Sequence, residues 1–256
     1  MIAEAIILGV VQGLTEFFPV SSTAHLIVLP WFFGWKGDVN TLTFDVALHA
    51  GTLTALLFCF WKDWAELFIK KRKLLGMIMF ASIPAGVAGF FLNDIIEKSL
   101  REPFVISVML VTVGFVMLAA EKATKYKDME KVDFLDALTI GIAQVTALIP
   151  GISRSGITIS AGLFKGLKRE ASARFSFLIS TPLIAGATLL HLRKLLTGQV
   201  TYDFQLFAVG LITSFITGIF AIKFLLTFLK KYPLNIFVYY RFILAVVIIA
   251  GIWLRG

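Results

Sequence analysis

Charge is scarce in this sequence. Only 16% of its 256 residues are charged, against about 25% in an average soluble domain. Hydrophobic residues make up 58%, and the mean hydropathy is +0.88. There is too little polar surface to cover a water-soluble globule of this size, which excludes a soluble enzyme, a nucleic-acid-binding domain and a disordered chain. The single cysteine, Cys59, excludes a disulfide framework and a Cys-built metal site. No G-x-x-x-x-G-K-[ST] run occurs, so nothing supports an ATP-driven mechanism. A basic stretch ahead of the first apolar run is also missing, because Glu4 lies there, and no cleavable signal is expected.

What the chain does have is long apolar runs. A crossing needs about 20 residues at 1.5 Å each. Six segments qualify, at roughly 43–62, 74–92, 104–121, 172–192, 204–224 and 235–254. Two further apolar stretches are interrupted. Ile2–Trp35 is broken by Phe18-Pro19-Val20-Ser21-Ser22, and Phe134–Gly166 by Pro150-Gly151-Ile152-Ser153-Arg154-Ser155. Proline removes a helix hydrogen bond and clashes with the preceding turn. Each arm, at about 14–17 residues, is too short for a full crossing. Both stretches therefore read as re-entrant helix–break–helix hairpins, tolerable at membrane depth only where they are buried or line a wet cavity. The expected fold is an all-α polytopic membrane protein, six transmembrane helices plus two such hairpins, in one integral membrane domain over 1–256.

The net charge of +8 is read as a topology signal, not a nucleic-acid footprint. Sixteen of the 24 Lys and Arg residues fall in alternate loops: Lys62 and Lys70–Lys73, Lys122–Lys131, Lys165–Arg174, and Lys223 to Lys231. Six lie on the other side, namely Lys36, Lys98, Arg101, Arg193, Lys194 and Arg255, while Arg154 and Arg241 sit inside apolar segments. The basic loops read as cytoplasmic, with both termini on the opposite side. Trp31, Trp35, Trp61 and Trp64 stand at segment ends, as interfacial tryptophans do.

The halves 1–121 and 132–256 resemble each other at an offset of 130–132. Gly9-Val-Val-Gln12 aligns with Gly141-Ile-Ala-Gln144, Phe18-Pro19-Val-Ser-Ser22 with Ile149-Pro150-Gly-Ile-Ser153, and Thr43-Phe44-Asp45 with Arg174-Phe175-Ser176. Each half holds one hairpin and three spans. An odd number of crossings makes the repeat inverted in topology and lets the hairpins meet near the midplane, where broken helices mark substrate sites.

An ionisable side chain inside an apolar segment is costly and hence a functional candidate. On the first hairpin Gln12 and Glu16 share a helix face at i, i+4, and Ser21, Ser22 and His25 follow the break. On the second, Ser153, Arg154, Ser155 and Thr158 surround the opening of a helix whose free N–H groups suit an anion. The Arg154 fork matches phosphate oxygens; alternatively it snorkels or pairs with an acidic side chain. Asp45 and His49, at i, i+4, read as a supporting pair or a packing contact. Arg241 reads as a counter-ion to a buried carboxylate, and His191 as interfacial. A phosphate cradle facing a carboxylate and a histidine, all within lipid, points to a phosphorylated lipid as substrate.

Those runs, Gln12–His25 and Pro150-Gly-Ile-Ser-Arg-Ser-Gly-Ile-Thr158, together with Phe44–Thr52 and Tyr240-Arg241-Phe242, resemble the motifs of the undecaprenyl-diphosphate phosphatase, or bacitracin-resistance, family. The resemblance implies hydrolysis of the C55 prenyl diphosphate to its monophosphate, recycling the carrier lipid for cell-wall synthesis. It implies a divalent cation (Mg²⁺ or Ca²⁺) with no organic cofactor, and a bacterial inner-membrane location with a site open to the outer side. Its partners would be the prenyl diphosphate and membrane lipids, without nucleic acid; a homodimer is compatible with it. On this reading Arg154 with Ser153, Ser155 and Thr158 holds the terminal phosphate. Glu16 with Gln12 ligates the cation or orients the attacking group. His25 is a general acid–base or the nucleophile, Ser22 is the rival nucleophile, and Ser21 a supporting donor. One departure weakens the metal site: many members carry Glu where this chain has Gln12. Ala24 also replaces a common Gly. The competing class is a secondary transporter or flippase of prenyl-phosphate lipid, built on the same inverted-repeat plan.

Overall fold

The computed structural model describes residues 1–197 and 203–255, and for 93–99 and 194–196 the backbone alone. Lys98 and Lys194, two of the six cations on the sparse side, thus lie outside the described side chains. The helices are α1 (Ile2–Thr15), α2 (Ser22–Phe33), α3 (Leu42–Cys59), α4 (Trp61–Ile69), α5 (Arg72–Ser99), α6 (Pro103–Glu121), α7 (Phe134–Thr146), α8 (Arg154–Phe164), α9 (Arg169–Leu196), α10 (Phe204–Leu229) and α11 (Asn235–Arg255). Among the described residues there is no strand, only an isolated bridge between Lys127 and Leu167. Six of the helices, α3, α5, α6, α9, α10 and α11, are long and apolar enough to cross a membrane, and they match the six expected spans.

The chain marks its helix starts locally. Thr41 caps α3 through the Phe44 amide, Asp203 caps α10 through Gln205 and Leu206, and Asp133 with Asp136 forms a capping box on α7. Helix α4 was not anticipated. It follows a bend at Phe60, buries Leu67 and exposes Trp61, Phe68 and Ile69. Such a short amphipathic turnback suits an interface, where aromatic residues sit at headgroup level.

The four arms of the broken stretches hold 14, 12, 13 and 11 residues, about 17–21 Å each at 1.5 Å per residue. They are shorter than the sequence suggests, because the breaks take more chain: residues 16–21 and 147–153 lie outside the helices. Each break ends on a serine in positive-φ backbone, Ser21 (φ 74°) and Ser153 (φ 74°), and among the described residues no other non-glycine has positive φ. Each serine caps the following helix, Ser21 through the Ala24 amide and Ser153 through that of Gly156. The strained positions are 132 residues apart, so the structural counterpart of Ser153 is Ser21, not the aligned Ser22. The register slips by one because Gly151-Ile152 fills the second loop where Val20 alone fills the first.

Packing exchanges partners between the halves. Helix α1 lies on α10 and α7 on α5, α3 lies on α10 and α9 on α5, and α6 pairs with α11. Small residues permit the first two contacts. A Cβ at Gly9 or Gly13 would run into Thr213 or Thr217 of α10, and one at Gly141 would lie 2.6 Å from the Ala81 carbonyl of α5. Gly151 is constrained twice over: it has φ 95°, and an added Cβ would lie 2.6 Å from the Ile106 carbonyl and 2.8 Å from Met109 Cβ. Gly151→Ala is therefore expected to cost about 2–3 kcal/mol from backbone strain and overlap together. A lowered thermal midpoint in detergent would register it.

Candidate functional site

The two breaks meet. Ser155 Oγ on the second donates to the Phe18 carbonyl on the first at 3.1 Å. Across the same junction Arg154 Nη2 reaches Glu16 Oε1 at 2.5 Å, with both side chains largely buried. Glu16 Oε2 accepts from Ser22 Oγ at 2.7 Å and from Gln12 Nε2 at 3.1 Å. His49 Nε2 lies 3.7 Å from the same oxygen. One carboxylate thus gathers a hydroxyl, a carboxamide, an imidazole and a guanidinium from α1, α2, α3 and α8. The helices α2 and α8 both open here. Their first N–H groups lack intrahelical acceptors, and their dipoles add positive potential at the junction.

The other residues divide by what they touch. Ser153 Oγ stands 3.3 Å from Ser155 Oγ while capping α8. Thr158 is turned away from the junction: its hydroxyl bonds the Arg154 carbonyl at 2.7 Å and Ser176 Oγ at 2.6 Å. It braces α8 against α9 and does not present a free donor. Arg154 Nη1 also faces the Ser176 carbonyl at 3.5 Å. Ser176 was missed as a site residue, although the repeat sets it opposite Asp45 and so carried a signal. His25 is buried, with Nδ1 2.7 Å from the Ser21 carbonyl and Nε2 2.7 Å from Tyr240 Oη. Neither nitrogen is hydrogen-bonded to Glu16, Ser22 or Arg154. Tyr240 lies beside Arg241 in the run Tyr240-Arg241-Phe242, and nothing in its spacing from His25 signals this contact.

The expected Asp45–His49 pair is split. His49 Nδ1 bonds the Asp45 main-chain carbonyl at 2.7 Å, and its other nitrogen turns to Glu16. The Asp45 carboxylate meets Arg101 at 3.4 Å. His191, near the end of its span, is buried against Thr43 Oγ1 at 3.3 Å.

Arg241 corrects a further expectation. It is fully buried, and among the described residues it meets no carboxylate. Its guanidinium donates instead to carbonyl oxygens: Pro19 in the first break at 3.2 Å, Gly151 and Ile152 in the second at 2.8 and 3.1 Å, and Leu110 and Met109 of α6 at 3.0 and 3.3 Å. Proline and positive-φ backbone leave the loop carbonyls without helical partners, and a planar fork with five N–H groups satisfies several at once.

For a cation, the donor set is made of oxygens but is thin. Among the described residues no three His, Cys, Asp or Glu side chains form a cage. Gln12 Oε1, however, is buried without a partner beside Glu16. An orphaned acceptor next to a carboxylate fits a hard cation that takes its remaining ligands from water and substrate phosphate, as Mg²⁺ commonly does.

The profile of the family described as Bacitracin resistance protein BacA matches residues 5–247. An undecaprenyl-diphosphatase of Thermodesulfovibrio yellowstonii is 58% identical over 245 residues, covering 96% of this chain and 95% of the relative. Undecaprenyl-diphosphatases of Caldicellulosiruptor bescii and Desulforudis audaxviator are 45% and 44% identical, each covering 99% of this chain and 98% of their own. With a family profile that matches nearly end to end and a relative this similar over 95% of its length, the chain belongs to the bacitracin resistance protein BacA family.

Proposed function

We propose that this chain is an undecaprenyl-diphosphatase of the bacterial inner membrane, removing the terminal phosphate of the prenyl diphosphate. One observation carries the assignment of its site: Glu16 is shared by Ser22 of one break and Arg154 of the other. A phosphoryl group drawn to Arg154 would lie beside a hydroxyl already bonded to a carboxylate. In our reading Arg154 and the N-terminus of α8 hold the terminal phosphate and offset the charge on its oxygens, on a turn that Ser153 and Ser155 fix through their own hydrogen bonds. Ser22 Oγ attacks phosphorus and its proton passes to Glu16. The bond to the bridging oxygen breaks, and the lipid monophosphate leaves with the electron pair. His25 Nε2 then takes a proton from water as the water oxygen attacks the phosphoserine. The bond to Ser22 breaks, Glu16 returns the proton to Ser22, and inorganic phosphate leaves as His25 gives up its proton to water. Thr158 and Ser176 fix Arg154, and His49 steadies Glu16. Trapping phosphate on His25 instead of Ser22 would overturn the order of these roles.

A divalent cation belongs to the proposal. Gln12 and Glu16 would hold it, and its charge would be set against the diphosphate oxygens. Gln12→Glu is expected to lower the Mg²⁺ concentration for half-maximal turnover by about tenfold, because a second carboxylate raises the ligand charge. In the same variant two like charges at i, i+4 should make the thermal midpoint rise with added Mg²⁺. No response of either quantity would remove Gln12 from the metal site.

The 16 basic residues of the alternate loops support a cytoplasmic placement for those loops, with the termini and the mouth of the site on the outer side. The short arms support re-entry of both hairpins, and the exchanged packing supports the inverted repeat. All the proposed site residues come from one chain, so a second copy is not needed for the chemistry. A pure carrier would leave Ser22 without a role, and phosphate release by purified protein, abolished by chelation, is the deciding assay.

A further inference from the structure

The pairing of His25 with Tyr240 is more specific than packing requires. The Ser21 carbonyl can only accept, so the 2.7 Å contact to Nδ1 places a proton on that nitrogen. In the neutral imidazole the lone pair is then on Nε2, and the Tyr240 hydroxyl, 2.7 Å away, donates to it. The two rings lie nearly parallel, at 13° with centroids 5.7 Å apart. The neighbouring residue on α11 is Arg241, which holds both breaks. The Tyr240 ring therefore stands on a fixed base, while 43% of the residue remains exposed and has room to turn. The nitrogen that must accept a proton from water is occupied by a hydroxyl from a helix 215 residues distant.

We infer that Tyr240 is a positioning residue for His25: its hydroxyl holds and aims the Nε2 lone pair that the Ser21 carbonyl leaves free, and yields the nitrogen to water when the phosphorylated site forms. The inference rests on His25 serving as the base. It does not require Tyr240 to touch the substrate.

The test uses the full chain in detergent, labelled with ¹⁵N-histidine. Only three histidines are present, so the His25 resonances can be assigned by their loss in His25→Asn. In the native protein Nδ1 should be protonated and Nε2 bare. In Tyr240→Phe, which keeps the ring and its packing, Nδ1 should stay protonated against the Ser21 carbonyl while the bare Nε2 resonance moves downfield as it loses its hydrogen-bond donor. In that variant kcat should fall by about 10- to 100-fold, the scale of a misaimed reacting group, with KM within about twofold. An unmoved Nε2 resonance in Tyr240→Phe, or an unchanged kcat, would overturn the inference. His25→Ala separates the two layers. If it retains turnover, the reading of His25 as base fails. If it is inactive while Tyr240→Phe behaves as wild type, only the role of Tyr240 fails.

Discussion

Arg154→Ala should lower phosphate release by about 10³-fold or more, the scale on which a phosphate-clamping arginine contributes to phosphoryl transfer. The same substitution has a second consequence, because Arg154 is also the near cation of Glu16 at 2.5 Å. Removing it leaves a buried carboxylate whose remaining neighbours are the weaker donors Gln12 and Ser22 and the more distant His49. Stranding one partner of a buried pair costs about 3–5 kcal/mol. Inactivity could therefore reflect a lost clamp or a damaged fold, and a second variant separates them. Arg154→Ala combined with Glu16→Gln removes the stranded charge. It should regain most of the thermal midpoint and none of the activity. Arg154→Lys should keep charge near Glu16 but lose the fork, holding stability better than turnover. Turnover near wild type in Arg154→Ala would discard the clamp. A double variant no more stable than the single would discard the buried-pair account.

The elements legible from the sequence are those set by local pattern. Hydropathy over about 20 residues located the six long helices to within a few residues at most ends, and Pro19 and Pro150 marked both breaks. The site was legible as a set of residue types, because a charge retained in an apolar segment is conspicuous. What stayed hidden was partnership. Whether Arg241 meets a carboxylate or a ring of carbonyls depends on where two loops 132 residues apart come to rest, and no spacing along the chain encodes that. The same holds for Tyr240 and His25, and for Thr158, whose hydroxyl looks like a phosphate donor until α9 brings Ser176 against it. Asp45 and His49 illustrate the limit of the i, i+4 rule. The two stand on one helix face, yet one side chain turns toward Arg101 and the other toward Glu16. The one-residue slip in the repeat has a similar origin: alignment matched the prolines, whereas the backbone matches the strained serines.

Arg241→Ala should be among the most destabilising single substitutions in the chain, although Arg241 lies outside the proposed chemistry. The Leu110 and Met109 carbonyls belong to α6 and keep their helical bonds when the guanidinium is removed. Those of Pro19, Gly151 and Ile152 lie in the breaks, where the helix ladder is interrupted. A buried polar group left unsatisfied costs about 1–3 kcal/mol, and three of them together with the lost side-chain volume should exceed about 4 kcal/mol. Turnover should fall with stability, because the same bonds hold the Ser21 and Ser153 turns in register. Arg241→Met isolates the polar part: it replaces most of the volume and none of the donors, and should recover little. Arg241→Lys has three donors on a point charge and should recover part of the stability while leaving the two breaks less well fixed relative to each other, so that kcat falls further than the thermal midpoint would suggest. If Arg241→Met proved as stable as the native chain, the carbonyls would not depend on Arg241, and the breaks would have to be held by the Glu16–Arg154 and Ser155–Phe18 contacts alone.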